Sequence, residues 1–130
     1  VALSSVAHMR NGILWDDIQF ETTEYDKWVA YAQAKSANAL FANGLSRRMQ
    51  RFGGRAFSVH PGGIFTPLQR HLPKEEQIKL GWIGADGQVS EGAQLAGEKS
   101  LPYQHCAPHI TVDADAERLW ESSEKLLAGA

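Results

Sequence analysis

Apolar residues come in short bursts along the 130-residue chain, and the spacing within each burst predicts an element. Val1-Ala-Leu3 is an apolar run that empties into Ser4-Ser5, the pattern of a buried strand ending in a loop. From Val6 to Tyr25 no period holds; Asn11-Gly12 marks a turn and Trp15-Asp16-Asp17 a polar excursion. From about Trp28 to Arg51 a helical period takes over. Ala37, Phe41, Leu45 and Met49 recur every four residues, and Leu40 widens the stripe. Asp26 stands at the N-cap position, where its carboxylate can accept from unpaired amides of the first turn. Ala30, Ala32, Ala34, Ala37 and Ala39 keep the first half of this helix slim enough for a close neighbour. Arg47, Arg48 and Arg51 fall in the last turns, where cations complement the carbonyl end as a solvated, dipole-matched terminus, and Gly53-Gly54 supplies the stop.

The helix leads into a second strand, Arg55 to His60, which breaks at Pro61-Gly62-Gly63. Pro73 opens a short helix over Lys74 to Leu80. Between Gly81 and Ile110 the pattern fails; it reads as loop, with a helical turn near Gly92 to Lys99. Asp113 to Leu127 recovers a helical face through Ala116, Leu119, Trp120, Ser123, Leu126 and Leu127, with acids in the first turn and Gly129 beyond the end. A helix feeding a strand that ends in a glycine loop is the grammar of α/β architecture. In open α/β sheets ligands bind beyond the carboxyl ends of strands, here at Ser5 and His60.

Composition narrows the choice of partner. At 43% apolar the chain suits one domain with a real core. A net charge of −2 and a pI near 6.2 create no global field toward nucleic acid or anionic lipid. No apolar run is long enough to span a bilayer, and no signal-peptide pattern opens the chain. The single cysteine, Cys106, permits no internal disulfide and fits a reducing, cytoplasmic setting.

The chemistry centres on Tyr31-Ala-Gln-Ala-Lys35. Residues four apart share a helix face, so the phenol and the ammonium can enter one site. A cation beside a phenol favours phenolate, which would make Tyr31 a usable general acid/base; an ordinary surface pair has the same spacing. His105-Cys106-Ala-Pro-His109, with His60 and His71 at a distance, lacks the spacing of a four-ligand zinc site, and no metal is expected.

Three runs occur in an order that resembles the short-chain dehydrogenase/reductase family. They are Leu3-Ser4-Ser5-Val6-Ala7 at a strand end, Tyr31 to Asn38 on a helix, and Ser58-Val59-His60-Pro61-Gly62 leading to Thr66. The histidine-containing run and the long gap between Ser5 and Tyr31 look most like the branch of retinol dehydrogenases and WW-domain-containing oxidoreductases. The resemblance implies part of a Rossmann-type, doubly wound parallel sheet, and NAD(P)-dependent hydride transfer between an alcohol and a carbonyl. By that resemblance Tyr31 exchanges the proton, Lys35 favours its ionised form and holds the nicotinamide ribose, and Ser5 holds the substrate oxygen. Pro61, Gly62, Ile64 and Thr66 would meet the cofactor. Each residue also has a plainer reading: Ser5 as a turn cap with Ser4 its rival, Pro61-Gly62-Gly63 as a chain reversal, and Thr66 as a helix cap.

Other parts of the family pattern are missing. No Thr-Gly-x-x-x-Gly-x-Gly phosphate loop occurs, nor the selector for the adenosine ribose, nor the Asn-Ala-Gly strand. The sequence also opens in mid-strand. Residues 1–130 are therefore expected to be the C-terminal part of such a domain without its dinucleotide-binding half, and a further internal loss would account for a late strand not found between Gly81 and Ile110. The cofactor expectation is NAD(P), leaning to NADP. The substrate is expected to be a small apolar alcohol or carbonyl, with Phe65, Leu68, Trp82 and Ile83 offering either a pocket wall or core packing. Homo-oligomers are compatible with the family pattern. The rival reading is a truncated, non-catalytic fragment or interaction module that retains the motifs but cannot hold the cofactor.

Overall fold

A computed structural model describes residues 1–62, 65, 67–90 and 106–129. They fall into two units, Val1–His60 with Gln104–Ala130, and Pro61–Tyr103. The first unit is built on a parallel pair of strands, β1 (Ala2–Leu3) and β2 (Ser58–Val59), with Ala2 opposite Ser58 and Leu3 opposite Val59. Backbone bonds extend the pairing at both ends, from Ala2 N–H to the Phe57 carbonyl and from Ser4 N–H to that of Val59, each 2.8 Å. Parallel strands need a crossover, and α1 (Lys27–Met49) supplies it. A 3-10 turn at Val6–Met9 precedes α1, and α3 (Asp113–Ala128) packs against it from the chain's far end.

Asp26 caps α1 as its position predicts: the carboxylate accepts from Trp28 N–H and Val29 N–H, both at 2.8 Å. At the other end α1 tightens into a 3-10 turn over Gln50–Phe52, and Gly53 stops it in the left-handed region at φ 72°. The second strand is shorter than the expected Arg55 to His60, with ladder pairing confined to Ser58–Val59.

Three packing expectations need correction. The first strand is not buried: Val1 and Leu3 are largely exposed, as are Phe57 and Val59. Parallel strands bury their side chains only where layers cover both faces, and α1 is the helix that packs on this pair. On α1 the buried face runs through Ala32, Gln33, Ser36, Ala39, Leu40, Ala42 and Gly44, rather than the Ala37-Phe41-Leu45-Met49 stripe. Phe41 is 46% exposed; its ring lies parallel on that of Trp120, with centroids 5.7 Å apart. On α3, Ala116 is buried, while Leu126 and Leu127 near the end remain exposed, so the docked face is confined to the first half.

The arginines near the end of α1 are not simply solvated. Arg47 pairs with Asp113 and Glu117, and Arg48 holds Glu117 at 2.7 Å while its guanidinium lies 4.0 Å from the Trp120 ring centroid. The charge that suits the end of α1 also fastens α3.

In the second unit a 3-10 turn at Pro67–His71 leads into α2 (Lys74–Lys79). The Gln77 side-chain amide donates to the carbonyls of Gln69 (3.0 Å) and Leu72 (2.8 Å), tying helix to turn. Beyond it a tight reversal joins Ile83 to Val89 in an antiparallel bridge, a hairpin missed in a stretch read as loop. Gly87 occupies the left-handed region there at φ 81°, and Gly84 accepts its N–H. Ile83 is buried and serves as core, whereas Phe65 lines a shallow depression with Pro67, Arg70 and Gln77. The helical turn expected near Gly92 to Lys99 lies outside the described residues. Among the described residues no helix is long and apolar enough to cross a membrane.

Two substitutions test how tightly α1 is packed. A Cβ built on Gly44 meets Arg48 Nη1, the Ala116 carbonyl oxygen and the Trp120 ring at 3.5–3.7 Å, ordinary contact distances. Gly44→Ala should therefore fit and raise unfolding free energy by about 0.5–1 kcal/mol through helix propensity. Leu40→Ala should lower it by about 2–5 kcal/mol. Urea denaturation of the two variants measures both.

Candidate functional site

The C-terminal end of β1 and the first half of α1 meet through side chain to backbone bonds. Lys35 Nζ donates to the Leu3 carbonyl at 3.2 Å, and Asn38 Nδ2 donates to the same oxygen at 2.7 Å. In return the Ser4 hydroxyl donates to the Lys35 carbonyl at 2.9 Å. A carbonyl oxygen has two lone pairs, so Leu3 can accept both donors. The family-like run from Tyr31 to Asn38 therefore engages the strand end that carries the serines.

Tyr31 lies one turn before Lys35 and is 36% exposed. The Lys35 ammonium stands 5.4 Å from the centroid of the Tyr31 ring. On the preceding turn, Trp28 meets that ring edge to face, with centroids 6.4 Å apart and planes at 89°. The phenol is thus flanked by an indole and an ammonium along one helical ridge.

The two serines behave differently. Ser4 is buried at 7% exposure, and its hydroxyl is committed to the α1 backbone. Ser5 is half-buried, and its hydroxyl accepts from Ala7 N–H at 3.2 Å, capping the Val6–Met9 turn. Because it acts there as acceptor, the Ser5 hydroxyl keeps its own proton to donate.

Pro61 and Gly62 belong to the other unit; Gly62 adopts φ 91°, which favours glycine. Ile64 and Thr66, the remaining expected cofactor contacts, lie outside the described residues, as does His105. Among the described residues no group of three or more His, Cys, Asp or Glu is arranged to hold a metal ion. His109 instead joins a polar cluster around Ser36. Its Nε2 stands 2.9 Å from the His8 carbonyl and 3.3 Å from Ser36 Oγ, and Ser36 donates to the Asn11 carbonyl at 2.7 Å. In sequence Asn38 stands out only as the end of the family-like run; its place three residues after Lys35 on the same ridge is the signal for its bond to Leu3. Nothing local could have announced the bonds of His8 to Ala107 and His109, or those of Ser36, whose partners lie far away in sequence. His60, past the end of β2, is held below the ordinary histidine range by burial and by the nearby His8.

The loop leading into α1 is organised by a carboxylate. Asp17 accepts from the backbone N–H groups of Glu21 (2.7 Å), Thr22 (3.0 Å) and Thr23 (2.6 Å), and from the Thr22 hydroxyl (2.9 Å). A side-chain hydrogen bond from Thr23 leads the causes that hold Asp17 far below the ordinary carboxylate range. Asp26 is lowered too, first by its bond from Val29 N–H.

Known proteins match this arrangement over almost its full length. Human retinol dehydrogenase 13 is 42% identical over 148 residues, covering 98% of this chain and 45% of that protein. Human retinol dehydrogenase 12 is 41% identical over 145 residues, with the same two shares. The short-chain dehydrogenase/reductase prx1 of Penicillium rubens is 29% identical over 157 residues, 98% of this chain and 46% of that one. A crystal structure of an uncharacterized protein from Mycobacterium paratuberculosis superposes with a TM-score of 0.60 at 28% identity, covering 95% of this chain and 48% of that one. The chain is a relative of the short-chain dehydrogenase/reductases. No family model matches it. The chain spans less than half the length of these relatives. The human alignments run to 148 and 145 residues against 130 here, so those relatives carry residues inside the matched stretch that this chain lacks.

The lowered carboxylates predict an acid-sensitive entry to the Tyr31 helix. A carboxyl group whose native value is depressed stabilises the fold above its unfolded value, 3.8 for aspartate, and this is lost as pH falls through the native value. Exchange protection at the amides of residues 21–23, 28 and 29 should therefore fade on acidification below about pH 4. In Asp26→Asn the loss at residues 28 and 29 should no longer track pH.

Proposed function

We propose that this chain is the proton-transfer part of an NAD(P)-dependent short-chain oxidoreductase. It would interconvert a small, apolar alcohol and its carbonyl compound. The observation that carries the reading is the partly exposed Tyr31 phenol beside an ammonium that the end of β1 holds in place. Relatives named retinol dehydrogenase supply the reaction class and the apolar character of the substrate. In such a protein β1 and β2 would be two strands of a larger doubly wound parallel sheet, with the ligand beyond their carboxyl ends.

The donor set fits the nicotinamide end of a dinucleotide. Lys35 uses one of its three N–H donors on Leu3, so two remain for ribose hydroxyls. Pro61, Gly62, Ile64 and Thr66 would meet the carboxamide side by analogy with the family. The 130 residues contain no glycine-rich phosphate loop, so their hold on the pyrophosphate would be slight. Neither NAD nor NADP is favoured by the residues present.

When bound, the dinucleotide supplies or accepts the hydride. The protein's own part is to place the substrate oxygen and to manage its proton. In reduction, charge grows on that oxygen as the carbonyl carbon gains hydride, and Tyr31 passes its hydroxyl proton to it. In oxidation Tyr31 takes the alcohol proton as the carbon loses hydride. Lys35 offsets the negative charge left on the phenol oxygen. Ser5, with its donor proton uncommitted, holds the substrate oxygen and stabilises its charge. The burial of Ser4 and its bond to Lys35 favour Ser5 over Ser4 for this role.

Incubating the chain with NADPH or NADH and an apolar aldehyde, and following dihydronicotinamide absorbance, tests the reading. Turnover that falls by about 10²-fold or more in Tyr31→Phe supports it. Turnover untouched by Tyr31→Phe overturns it. Absence of both turnover and dinucleotide binding favours the non-catalytic reading for this chain.

A further inference from the structure

We infer that His8 is a positioning residue for Ser5, and that through it the segment around Ala107–His109 helps to shape the proposed site. This rests on the role given to Ser5 above. His8 is 8% exposed, and its ring bridges two parts of the chain about a hundred positions apart. Nδ1 stands 2.6 Å from the Ser5 carbonyl, which can only accept, so Nδ1 carries the proton. Nε2 accepts from Ala107 N–H at 3.2 Å, so it is bare. The two bonds agree on one neutral tautomer and use both ring nitrogens.

The backbone of the same turn is held independently. His8 N–H also donates to the Ser5 carbonyl, at 3.1 Å, so that oxygen is gripped twice by one residue. The His8 carbonyl receives His109 Nε2–H at 2.9 Å and lies 3.4 Å from Ser36 Oγ, the hydroxyl next after Lys35 on α1. Ser36 is fully buried and donates to the Asn11 carbonyl, just past the turn. Ser5 therefore sits on a 3-10 turn clamped from below by the catalytic helix and from the side by the C-terminal segment. A hydroxyl that must meet a developing charge within a few tenths of an ångström gains from such a support. The histidine-bearing segment that invites a metal reading in sequence serves here as a brace.

The clamp can be read directly by amide exchange on the full chain. Ala7 N–H reports the Ser5 hydroxyl and Ala107 N–H reports His8 Nε2, while Trp28 and Val29, capped by Asp26, serve as controls. In His8→Ala, exchange should quicken about tenfold or more at Ala7 and Ala107 and stay unchanged at the controls. His8→Asn keeps a donor near the Nδ1 position and no acceptor at Nε2; it should preserve Ala7 protection and lose that of Ala107. Unchanged Ala7 protection in His8→Ala overturns the inference, and if that variant unfolds, loss of Ala7 protection in His8→Asn does the same. Turnover gives a second reading. His8→Ala should lower kcat about tenfold with Ser5 present and no further in the Ser5→Ala background; additive losses overturn it. If Ser5→Ala alone leaves turnover intact, the assignment of Ser5 fails, and the exchange result still decides whether His8 positions it.

Discussion

The Leu3 carbonyl is the point on which the arrangement depends. Two side chains of α1, Lys35 and Asn38, converge on this one oxygen at the end of β1, and Ser4 answers with a bond to the Lys35 carbonyl. A helix lying on a strand can slide or rotate at small cost when only apolar contacts join them. Directed bonds in both directions favour one register, because moving either element would break them and leave the buried Ser4 hydroxyl without its acceptor. Fixing Lys35 fixes the ridge it shares with Tyr31, and so the direction in which the phenol faces. The serines follow within two residues of the same strand end.

The small-residue face of α1 makes the second set of contacts workable. Ala32, Ser36, Ala39, Ala42 and Gly44 project little, so the Val6–Met9 turn and α3 approach the helix closely. At that range a serine hydroxyl can reach backbone carbonyls, and Ser36 does so. Directional bonds and the flanking ion pairs of Arg47 and Arg48 add orientation to the apolar packing of this face.

Local signals proved readable where one residue acts on its neighbours. Asp26 as N-cap, Gly53 as stop, the bounds of α1 within two residues and the start of α3 follow from chain-local chemistry. The Tyr31–Lys35 contact follows from helical spacing. The buried face of α1 is legible in part: Leu40 and the small residues Ala32 and Ala39 pack inward, as the stripe and the slim first half imply. Phe41 and Met49 of the stripe are exposed, and the buried Ser36, Ala42 and Gly44 carry little hydropathy signal. The exposure of β1 was equally illegible, since a run such as Val1-Ala-Leu3 announces a buried strand whether or not layers cover both its faces. The bonds that tie His8 to Ala107 and His109 could not be read at all, because they join residues about a hundred apart that have no periodic relation.

The contacts that steady Lys35 are a carbonyl dipole and an aromatic face, neither of which carries a net charge. They orient the ammonium without neutralising it, unlike the carboxylates that pair with Arg47 and Arg48. Its electrostatic potential therefore extends outward over the Debye length, about 8–10 Å at ordinary salt. Mobile anions are attracted toward Lys35, and the attraction weakens as ionic strength rises. That local attraction works against the chain's overall negative charge.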